Sequence, residues 1–364
     1  MTIEPRPGIL DIAPYVGGES KAAGANRVIR LASNENPLGP SPRAVQAAVD
    51  ALAGAHRYPR PLADELRAAL AARHRLRPEQ VLVTNGSDEL LRLLAETYLR
   101  PGDRVVVPHP SFSVYGRVAQ LMGARIEAVP LARDGGMDLP AMAAACQGAG
   151  GRDPARIVFL CRPNNPTGGV FGAEAFAAFL AAVPGSCLIV LDEAYQEFDD
   201  TDFNGLDWLD RSPSLIVART FSKVYGLSGL RLGWGAAAEA VWQPVLKVRD
   251  PFSVNVVAQA AGLAALGDPE HVARSVELAR EGRDFLRRAA SELGLRVWPS
   301  QGNFVLIDVA RDADEVQSAL LAHGVIVRSA SGFGVPTAIR VSCGLPEENR
   351  RFAEALRAVL VESG

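Results

Sequence analysis

Cysteine, histidine and long apolar runs are all scarce in this sequence. It has four cysteines in 364 residues, none in a CxxC pair, so it is not a disulfide scaffold and a reducing compartment is expected. The five histidines are scattered without an HExxH pattern, and we therefore expect no metal site. No stretch near the start has the apolar length of a signal peptide, and nowhere do 18 apolar residues follow one another. We expect a soluble, cytoplasmic protein.

An excess of positive charge is also lacking. The 38 lysines and arginines stand against 41 aspartates and glutamates, which gives a formal net charge of −3. That balance excludes the strongly basic surface typical of a nucleic-acid binder, so the ligand is expected to be small. The length exceeds what one hydrophobic core usually serves, and 48% hydrophobic residues is a typical globular content. Two unequal domains are therefore expected.

Short apolar runs rich in β-branched residues recur through the middle of the chain, with helical stretches between them. Runs that are apolar throughout, rather than alternating, are typical of strands buried on both faces of a sheet. The alternation predicts an α/β fold, with a mostly parallel sheet and helices on both faces. The predicted strands are 81–84, 104–107, 157–160, 188–191 and 215–218, and the predicted helices are 88–99, 114–122 and 173–182.

The pattern changes after about residue 252. A long helical segment at 269–293 precedes apolar runs at 303–308, 325–328 and 338–341 and a last helix, which predicts a smaller α+β domain. The first forty residues are rich in glycine and proline and are interpreted as an arm. The expected organisation is an arm at 1–38, a large domain at 39–255 and a small domain at 256–364.

The stretch TFSKVYGLSGLRLGW directly follows a predicted buried strand, and loops at strand ends often carry functional sites. Two hydroxyl residues precede Lys223, and Arg231 follows eight residues later, so these side chains could hold a phosphate. A lysine near cations and away from bulk water loses its proton more easily and becomes a nucleophile that can form a Schiff base. The alternative is a solvated surface lysine.

Two other predicted strands end in polar residues. Asp192 closes one of them, where its carboxylate could keep a ring nitrogen protonated, and Tyr195 could donate to an oxygen of the same ring. An acidic helix cap is the alternative, and Glu193 is equally eligible. The turn CRPNNPTGG follows another strand and would present Asn165 rigidly to a ligand, although a simple turn also explains its prolines and glycines.

The turn TNGSDEL leads from a predicted strand into a helix. Free backbone amides at Gly86, Ser87 and Asp88, together with the positive end of the helix dipole, suit a phosphate, although an ordinary helix cap is the alternative. Before the next helix, Tyr115 or Phe112 offers a flat face for stacking on a ring, although buried aromatics are more often part of the core.

In chain order, the motifs NENP, GSDE, NNPTG, DEAY and SKxxGLxGLRLG resemble those of fold-type I pyridoxal-phosphate-dependent aminotransferases, over nearly the whole chain. Within that superfamily, the stretches IRLASNENPLGPS, RYP and IRVSCG are similar to the histidinol-phosphate aminotransferase family. The resemblance implies a large domain with a mixed, mostly parallel sheet, a smaller α+β domain and pyridoxal 5'-phosphate as cofactor. It also implies a homodimer, with the arm against the small domain and the partner subunit.

The resemblance assigns roles to individual residues. Lys223 would bind the cofactor covalently, Asp192 would pair with its pyridine nitrogen, Tyr195 and Asn165 would contact the ring 3-oxygen, and Tyr115 would stack on the ring. The residues implied at the cofactor phosphate are Gly86, Ser87, Asp88, Thr220, Ser222, Arg231 and, from the partner subunit, Tyr58. The residues implied at the substrate are Arg340, Arg328, Tyr15 and Asn165.

The implied reaction is transamination between L-histidinol phosphate and 2-oxoglutarate, giving imidazole-acetol phosphate and L-glutamate; histidine biosynthesis runs it in reverse. Arg340 would clamp the carboxylate of glutamate, and the phosphate of histidinol phosphate would use the same anion pocket. Arg162 in the CRPNNPTG turn could reshape the ring pocket. An aromatic aminotransferase for phenylalanine or tyrosine, or a threonine-phosphate decarboxylase, needs the same cofactor motifs and stays open.

Overall fold

The computed structural model describes residues 3–12, 14, 28–148 and 153–362. The helices in these residues are α1 Pro42–Leu52, α2 Asp64–His74, α3 Ser87–Tyr98, α4 Val114–Leu121, α5 Leu139–Gln147, α6 Ala173–Ala182, α7 Glu239–Val248, α8 Val256–Leu266, α9 Pro269–Glu292, α10 Ala313–Ala322 and α11 Pro346–Glu362. The strands are β1 Ile29–Arg30, β2 Val81–Thr84, β3 Arg104–His109, β4 Arg125–Pro130, β5 Ile157–Cys161, β6 Leu188–Asp192, β7 Leu215–Thr220, β8 Gly233–Ala237, β9 Arg296–Val297, β10 Phe304–Asp308, β11 Val325–Ile326, β12 Arg328–Ser329 and β13 Ala338–Ser342. No helix in the described part of the chain combines the length and the apolar character needed to cross a bilayer.

A central sheet follows the strand order β2-β8-β7-β6-β5-β3-β4. The five strands from β4 to β7 are parallel, whereas β8 runs antiparallel to both of its neighbours. Every residue of β5, β6 and β7 is buried, because helices flank the sheet and leave these strands no contact with water. The predicted α/β class with a mixed, mostly parallel sheet is confirmed.

The sequence pattern did not reveal β4 and β8. β4 is an edge strand whose residues are mostly exposed or half-buried, so it lacks the continuous apolar run of the central strands. β8 reads Gly-Trp-Gly-Ala-Ala, a composition of low strand propensity. A side chain at Gly233 would place its Cβ 2.4 Å from the backbone nitrogen of Ser87, and one at Gly235 would lie 2.7 Å from Leu90. These glycines let α3 pack directly on β8.

The C-terminal part of the chain forms an antiparallel sheet in the order β12-β13-β10-β9. Its hydrophobic core includes Leu286 of α9, Ile307 and Phe352, and it also includes Ile29 and Leu31 from the beginning of the chain. The short strand β1 pairs in parallel with β11, which ties this early segment to the C-terminal core. The predicted run at 325–328 is divided between β11 and β12.

The carboxyl ends of β5, β6 and β7 meet at one edge of the central sheet, because these strands are parallel and adjacent. Cys161, Asp192 and Thr220 are the last residues of these strands. Ligands of open α/β sheets bind at this edge, where the loops after the strands converge. The turn before α3 also reaches this edge, since β2 and α3 pack against β8.

Candidate active site

A cavity of about 220 Å³ opens at this edge of the sheet. It brings together side chains from the large sheet, from the C-terminal sheet and from the segment that precedes α1. Among the residues predicted from sequence, its walls contain Ser87, Asp88, Asn165, Asp192, Tyr195, Thr220, Ser222, Lys223, Arg231, Arg328 and Arg340.

Lys223 follows β7, and its amine is held among polar groups inside the cavity. Its Nζ donates a hydrogen bond to the backbone oxygen of Ser33 at 3.1 Å and lies 5.6 Å from the centre of the Tyr195 ring. Burial, and after it the positive charge of Arg340, lower the pKa of Lys223 to about 8. At pH 7 an amine with this pKa is neutral, and therefore nucleophilic, in about a tenth of the molecules, far more than an ordinary lysine amine.

Asp192, the last residue of β6, also lines the cavity. Its Oδ1 accepts from the backbone N–H of Ala194 at 3.0 Å, and its Oδ2 accepts from the hydroxyl of Tyr115 at 2.7 Å. Burial raises the pKa of Asp192 to about 6, and the bond from Tyr115 opposes that rise. A buried carboxylate of this kind is stabilised by a cationic partner, which a protonated ring nitrogen would supply.

Glu193 points away from the cavity, since successive side chains along an extended strand lie on opposite sides. Its Oε2 pairs with Arg219 at 2.7 Å, and its Oε1 accepts from the backbone N–H of Gly205 at 2.8 Å. Of the two acidic residues in the DEAY motif, Asp192 is therefore the one in position to meet a ligand.

Tyr115 occupies a different place from the one expected. It is buried behind Asp192, where its ring stacks on Phe159 with centroids 4.9 Å apart, and it does not line the cavity. The expectation that Tyr115 stacks on the cofactor ring is therefore corrected: its hydroxyl supports Asp192, and Phe112 lines the cavity instead. The two aromatic residues lie three apart around the start of α4, and only packing shows which one faces the ligand.

The anion corner of the cavity is built around the first turn of α3, whose backbone amides have no partner within the helix. Arg231 reaches this corner and pairs with Asp88 at 3.4 Å. Gly86 has a φ of +81°, a conformation that other residues rarely adopt, and a Cβ there would lie 2.7 Å from the end of the Arg231 side chain, so glycine suits this turn. A helix start, an arginine and the hydroxyl of Ser222 together form a cradle that fits a phosphate.

Arg340 and Arg328 form the basic side of the cavity. They lie directly opposite each other on the antiparallel strands β13 and β12. Arg340 is buried and donates to the Asn165 side-chain oxygen at 2.5 Å and to the Ala32 backbone oxygen at 2.6 Å. Two facing guanidinium groups repel each other, so an anionic substrate placed against them would be stabilised.

Besides Tyr115, two predicted residues do not line the cavity, and one lies outside the described residues. Tyr58 is 84% exposed, stacks on Phe252 with ring centres 4.7 Å apart and does not line the cavity of its own chain. Gly86 shapes the turn beside the cavity. Tyr15 lies outside the described residues.

The expectation that Arg162 reshapes the ring pocket is wrong. Arg162 is fully buried and points behind the turn, where its guanidinium pairs with Asp199 at 2.5 Å and also donates to the Phe171 backbone oxygen and the Thr201 hydroxyl. It lies 4.1 Å from the centre of the Phe203 ring. Its contacts anchor the turn that carries Asn165.

Sequence reasoning missed a set of cavity residues, Ala32, Ser33 and Asn34. The NENP motif beginning at Asn34 was noted, but no local pattern indicated that this segment would cross the cavity. In the described part of the chain, no group of three or more histidine, cysteine or acidic side chains is arranged to hold a metal ion.

Comparison with known proteins identifies the family. The family described as aminotransferase class I and II matches residues 26–356. A histidinol-phosphate aminotransferase of Symbiobacterium thermophilum is 52% identical, covering 98% of this chain and 99% of the relative. Another, of Moorella thermoacetica, is 45% identical, covering 98% and 92%.

Solved structures give the same result. The histidinol-phosphate aminotransferase of Sinorhizobium meliloti, in complex with pyridoxal-5'-phosphate, superposes with a TM-score of 0.91 at 30% identity, covering 100% of this chain and 99% of that one. The aspartate aminotransferase of Thermus thermophilus with maleate has a TM-score of 0.82 at 25% identity, covering 92% of each chain. The chain therefore belongs to the class I and II aminotransferases and, within them, to the histidinol-phosphate aminotransferase family.

Proposed function

We propose that this protein uses pyridoxal 5'-phosphate to transfer an amino group between L-histidinol phosphate and 2-oxoglutarate, and that it acts in histidine biosynthesis in the direction that forms histidinol phosphate. The observation that carries the proposal is that the Lys223 amine, the Asp192 carboxylate and the first turn of α3 all border one cavity. Curated relatives with 43–52% identity over nearly the whole chain support the choice of substrate.

The cavity residues fit the parts of the cofactor. Lys223 would form the covalent link to its aldehyde carbon, and Asp192 would hold the proton on its ring nitrogen. The amides of Ser87 and Asp88, together with the side chains of Thr220, Ser222 and Arg231, would hold its phosphate, with Gly86 shaping the turn. Tyr195 and Asn165 would contact its ring oxygen, and Phe112 would cover one face of the ring. When bound, the protonated ring withdraws electrons from the α-carbon of the amino substrate.

Lys223 serves as the general base of the proposed reaction. Once an amino substrate has displaced it from the cofactor, its Nζ removes the proton from the substrate α-carbon and returns a proton to the neighbouring carbon. The pKa of about 8 suits both steps, because the amine can lose and regain a proton near neutral pH. The hydrogen bond from Lys223 to Ser33 places the amine on the wall of the cavity.

Arg340 and Arg328 would bind the anionic groups of the substrates. Arg340 would bind the α-carboxylate of glutamate or 2-oxoglutarate through its planar guanidinium, and the phosphate of histidinol phosphate would take the same pocket with help from Arg328. Tyr15 is proposed as an additional phosphate contact on the strength of the sequence resemblance.

A substrate comparison tests the proposal. Purified protein should show a much higher kcat/KM for histidinol phosphate than for phenylalanine, with 2-oxoglutarate as acceptor in both assays. A preference of about tenfold or more for phenylalanine would favour an aromatic aminotransferase. Release of carbon dioxide from threonine phosphate without amino transfer would favour the decarboxylase.

We also propose that the protein is a cytoplasmic homodimer in which Tyr58 reaches the cofactor phosphate of the partner subunit. The chain would divide into an arm at 1–38, a large domain at 39–255 and a small domain at 256–364. The 84% exposure of Tyr58 supports this role, since a side chain that serves the partner's site has to project from the surface of its own chain. Buried, unpaired thiols fit a reducing compartment.

Mixing two inactive variants tests the shared site. Tyr58→Ala and Lys223→Ala, denatured together and refolded, should recover about a quarter of the wild-type sites, because half of the dimers are mixed and each mixed dimer holds one intact site. Each variant refolded alone should stay at its own low activity. Recovery no greater than the sum of the two separate activities would contradict a shared site.

A further inference from the structure

Three consecutive residues before α1 each contact a different functional side chain in the cavity. The backbone oxygen of Ala32 accepts from Arg340 at 2.6 Å, the backbone oxygen of Ser33 accepts from Lys223 at 3.1 Å, and the side-chain amide of Asn34 donates to the hydroxyl oxygen of Tyr195 at 2.9 Å. The first two contacts use the backbone and tolerate many side chains. The third depends on the identity of residue 34.

The orientation of the Asn34 amide is fixed by Ser342 on β13. The hydroxyl oxygen of Ser342 accepts from the backbone N–H of Asn34 at 2.8 Å, so the hydroxyl hydrogen is free to donate to the Asn34 side-chain oxygen at 3.0 Å. With the amide reversed, the buried hydroxyl hydrogen of Ser342 would have no acceptor among the described residues, which is costly. The NH₂ group of Asn34 therefore faces Tyr195.

This orientation constrains the hydroxyl of Tyr195. Its oxygen accepts the hydrogen bond from Asn34, so its own hydrogen has to point elsewhere. Tyr195 is only 4% exposed, and no group in the described residues accepts that hydrogen. A buried donor without an acceptor costs free energy, and the cavity is the open space next to it.

We infer that Asn34, oriented by Ser342, is a positioning residue that directs the hydroxyl hydrogen of Tyr195 into the cavity, toward the ring oxygen of the bound cofactor. The inference rests on the proposed function, because the cofactor supplies the acceptor. Asn34 is 1% exposed and has a φ of +54°, a left-handed conformation that asparagine and aspartate adopt more readily than most residues.

Asn34→Asp is the most informative substitution, because it keeps the shape and the backbone preference of residue 34 but replaces the donor by an acceptor. The carboxylate would accept the Tyr195 hydrogen and withdraw it from the cofactor. A hydroxyl that donates to the ring oxygen makes protonation of the neighbouring lysine-linked nitrogen less favourable. The pH titration of the cofactor absorbance should therefore shift to a higher midpoint in Asn34→Asp.

A double-mutant cycle with Tyr195→Phe separates this effect from the charge of the new carboxylate. The shift that Asn34→Asp causes in the Tyr195→Phe background is the direct effect of the charge. When the Tyr195 hydroxyl is present, we expect Asn34→Asp to shift the midpoint by about one pKa unit more than it does in the Tyr195→Phe background. That difference is a tenfold change in the protonation equilibrium. Ser342→Ala, which removes the orienting contact, should shift the midpoint in the same direction by a smaller amount. The affinity of the cofactor-free variants for pyridoxal phosphate provides a second readout.

Asn349→Asp is the matched control. It also places a carboxylate at a buried amide, but among the described residues the side chain of Asn349 bonds only to the backbone of Gly344, and it does not line the cavity. It should lower the midpoint of unfolding and leave the absorbance titration unchanged.

Equal shifts from Asn34→Asp with and without the Tyr195 hydroxyl would overturn the inference, and so would an unchanged titration in Ser342→Ala. The second variant keeps the test decisive should Asn34→Asp fail to fold. Absence of any pyridoxal-phosphate absorbance band in the wild-type protein would instead overturn the proposed function. The two failures are therefore distinguishable.

Discussion

Tyr115→Phe removes one of the two hydrogen bonds that the Asp192 carboxylate accepts, and it leaves the aromatic packing in place. The ring of Tyr115 stacks on Phe159 with planes 10° apart, and a phenylalanine preserves that contact. The backbone N–H of Ala194 then remains as the partner of the carboxylate. The change therefore isolates the contribution of one hydroxyl to the ionisation of Asp192.

The size of the effect follows from the geometry. A hydrogen bond to a charged group contributes about 1.5 to 3 kcal/mol, and one pKa unit corresponds to about 1.4 kcal/mol. Burial already raises the pKa of Asp192 to about 6, with the Tyr115 bond acting against that rise. In the cofactor-free protein, Tyr115→Phe should raise this pKa by about one to two further units.

The sign of the pH dependence follows from linkage. Because the pKa of Asp192 is higher in the folded than in the unfolded protein, folding is favoured most at low pH, and this contribution is lost as the pH rises through the folded pKa. Because Tyr115→Phe raises the pKa of Asp192 in the folded protein, this loss of folding free energy continues to higher pH in the variant. The variant should therefore be destabilised more at about pH 8.5 than at about pH 5, by about 1.4 to 3 kcal/mol.

Urea unfolding of the cofactor-free proteins at the two pH values measures this difference. Tyr98→Phe is the matched control, because the Tyr98 hydroxyl donates at 2.8 Å to the uncharged backbone oxygen of Val241. Its loss of stability should be the same at both pH values. A Tyr115→Phe destabilisation that does not change between pH 5 and pH 8.5 would refute the proposed coupling to Asp192.

Other predictions concern the cavity and its support. In the cofactor-free protein, reductive methylation of Lys223 followed by peptide mapping should titrate with a midpoint near 8, since burial favours the neutral amine; a midpoint above about 9.5 would contradict this environment. Arg340→Lys loses the planar fork and should raise the KM for 2-oxoglutarate about 10- to 100-fold in steady-state assays, with a smaller effect on kcat; an unchanged KM would exclude the carboxylate role. Arg162→Ala leaves the fully buried Asp199 without its cation and should lower the free energy of unfolding by about 3 to 5 kcal/mol in urea titrations; a loss below about 1 kcal/mol would show that the pair does not anchor the turn.

The central part of the fold could be predicted from sequence because burial on both faces forces its strands to be apolar throughout. The runs at 157–160, 188–191 and 215–218 all correspond to strands of the parallel sheet. β8 could not be predicted because two of its residues are glycines that allow α3 to pack closely on the strand. No local sequence pattern indicates such a contact. Contacts between segments that are distant along the chain depend on tertiary packing, and the strand propensity of the individual residues does not predict them.

The candidate site, like the fold, could be predicted only in part from the sequence. Lys223 and Asp192 could be placed in one cavity because each follows a predicted parallel strand, and the ends of such strands meet. Whether Phe112 or Tyr115 faces the ligand could not be decided, since both are aromatic and near the same helix start. Asn34 could not be assigned at all, because its partners Tyr195 and Ser342 lie 161 and 308 residues away along the chain.

The identity of the residue that binds the cofactor is the claim on which the proposed chemistry depends most. The chain has only three lysines, Lys21, Lys223 and Lys247, so the link can be mapped without ambiguity. Protein incubated with pyridoxal phosphate, reduced with borohydride and digested should carry the added mass on the peptide that contains Lys223. A modification confined to another lysine, or none at all at saturating cofactor, would contradict the account.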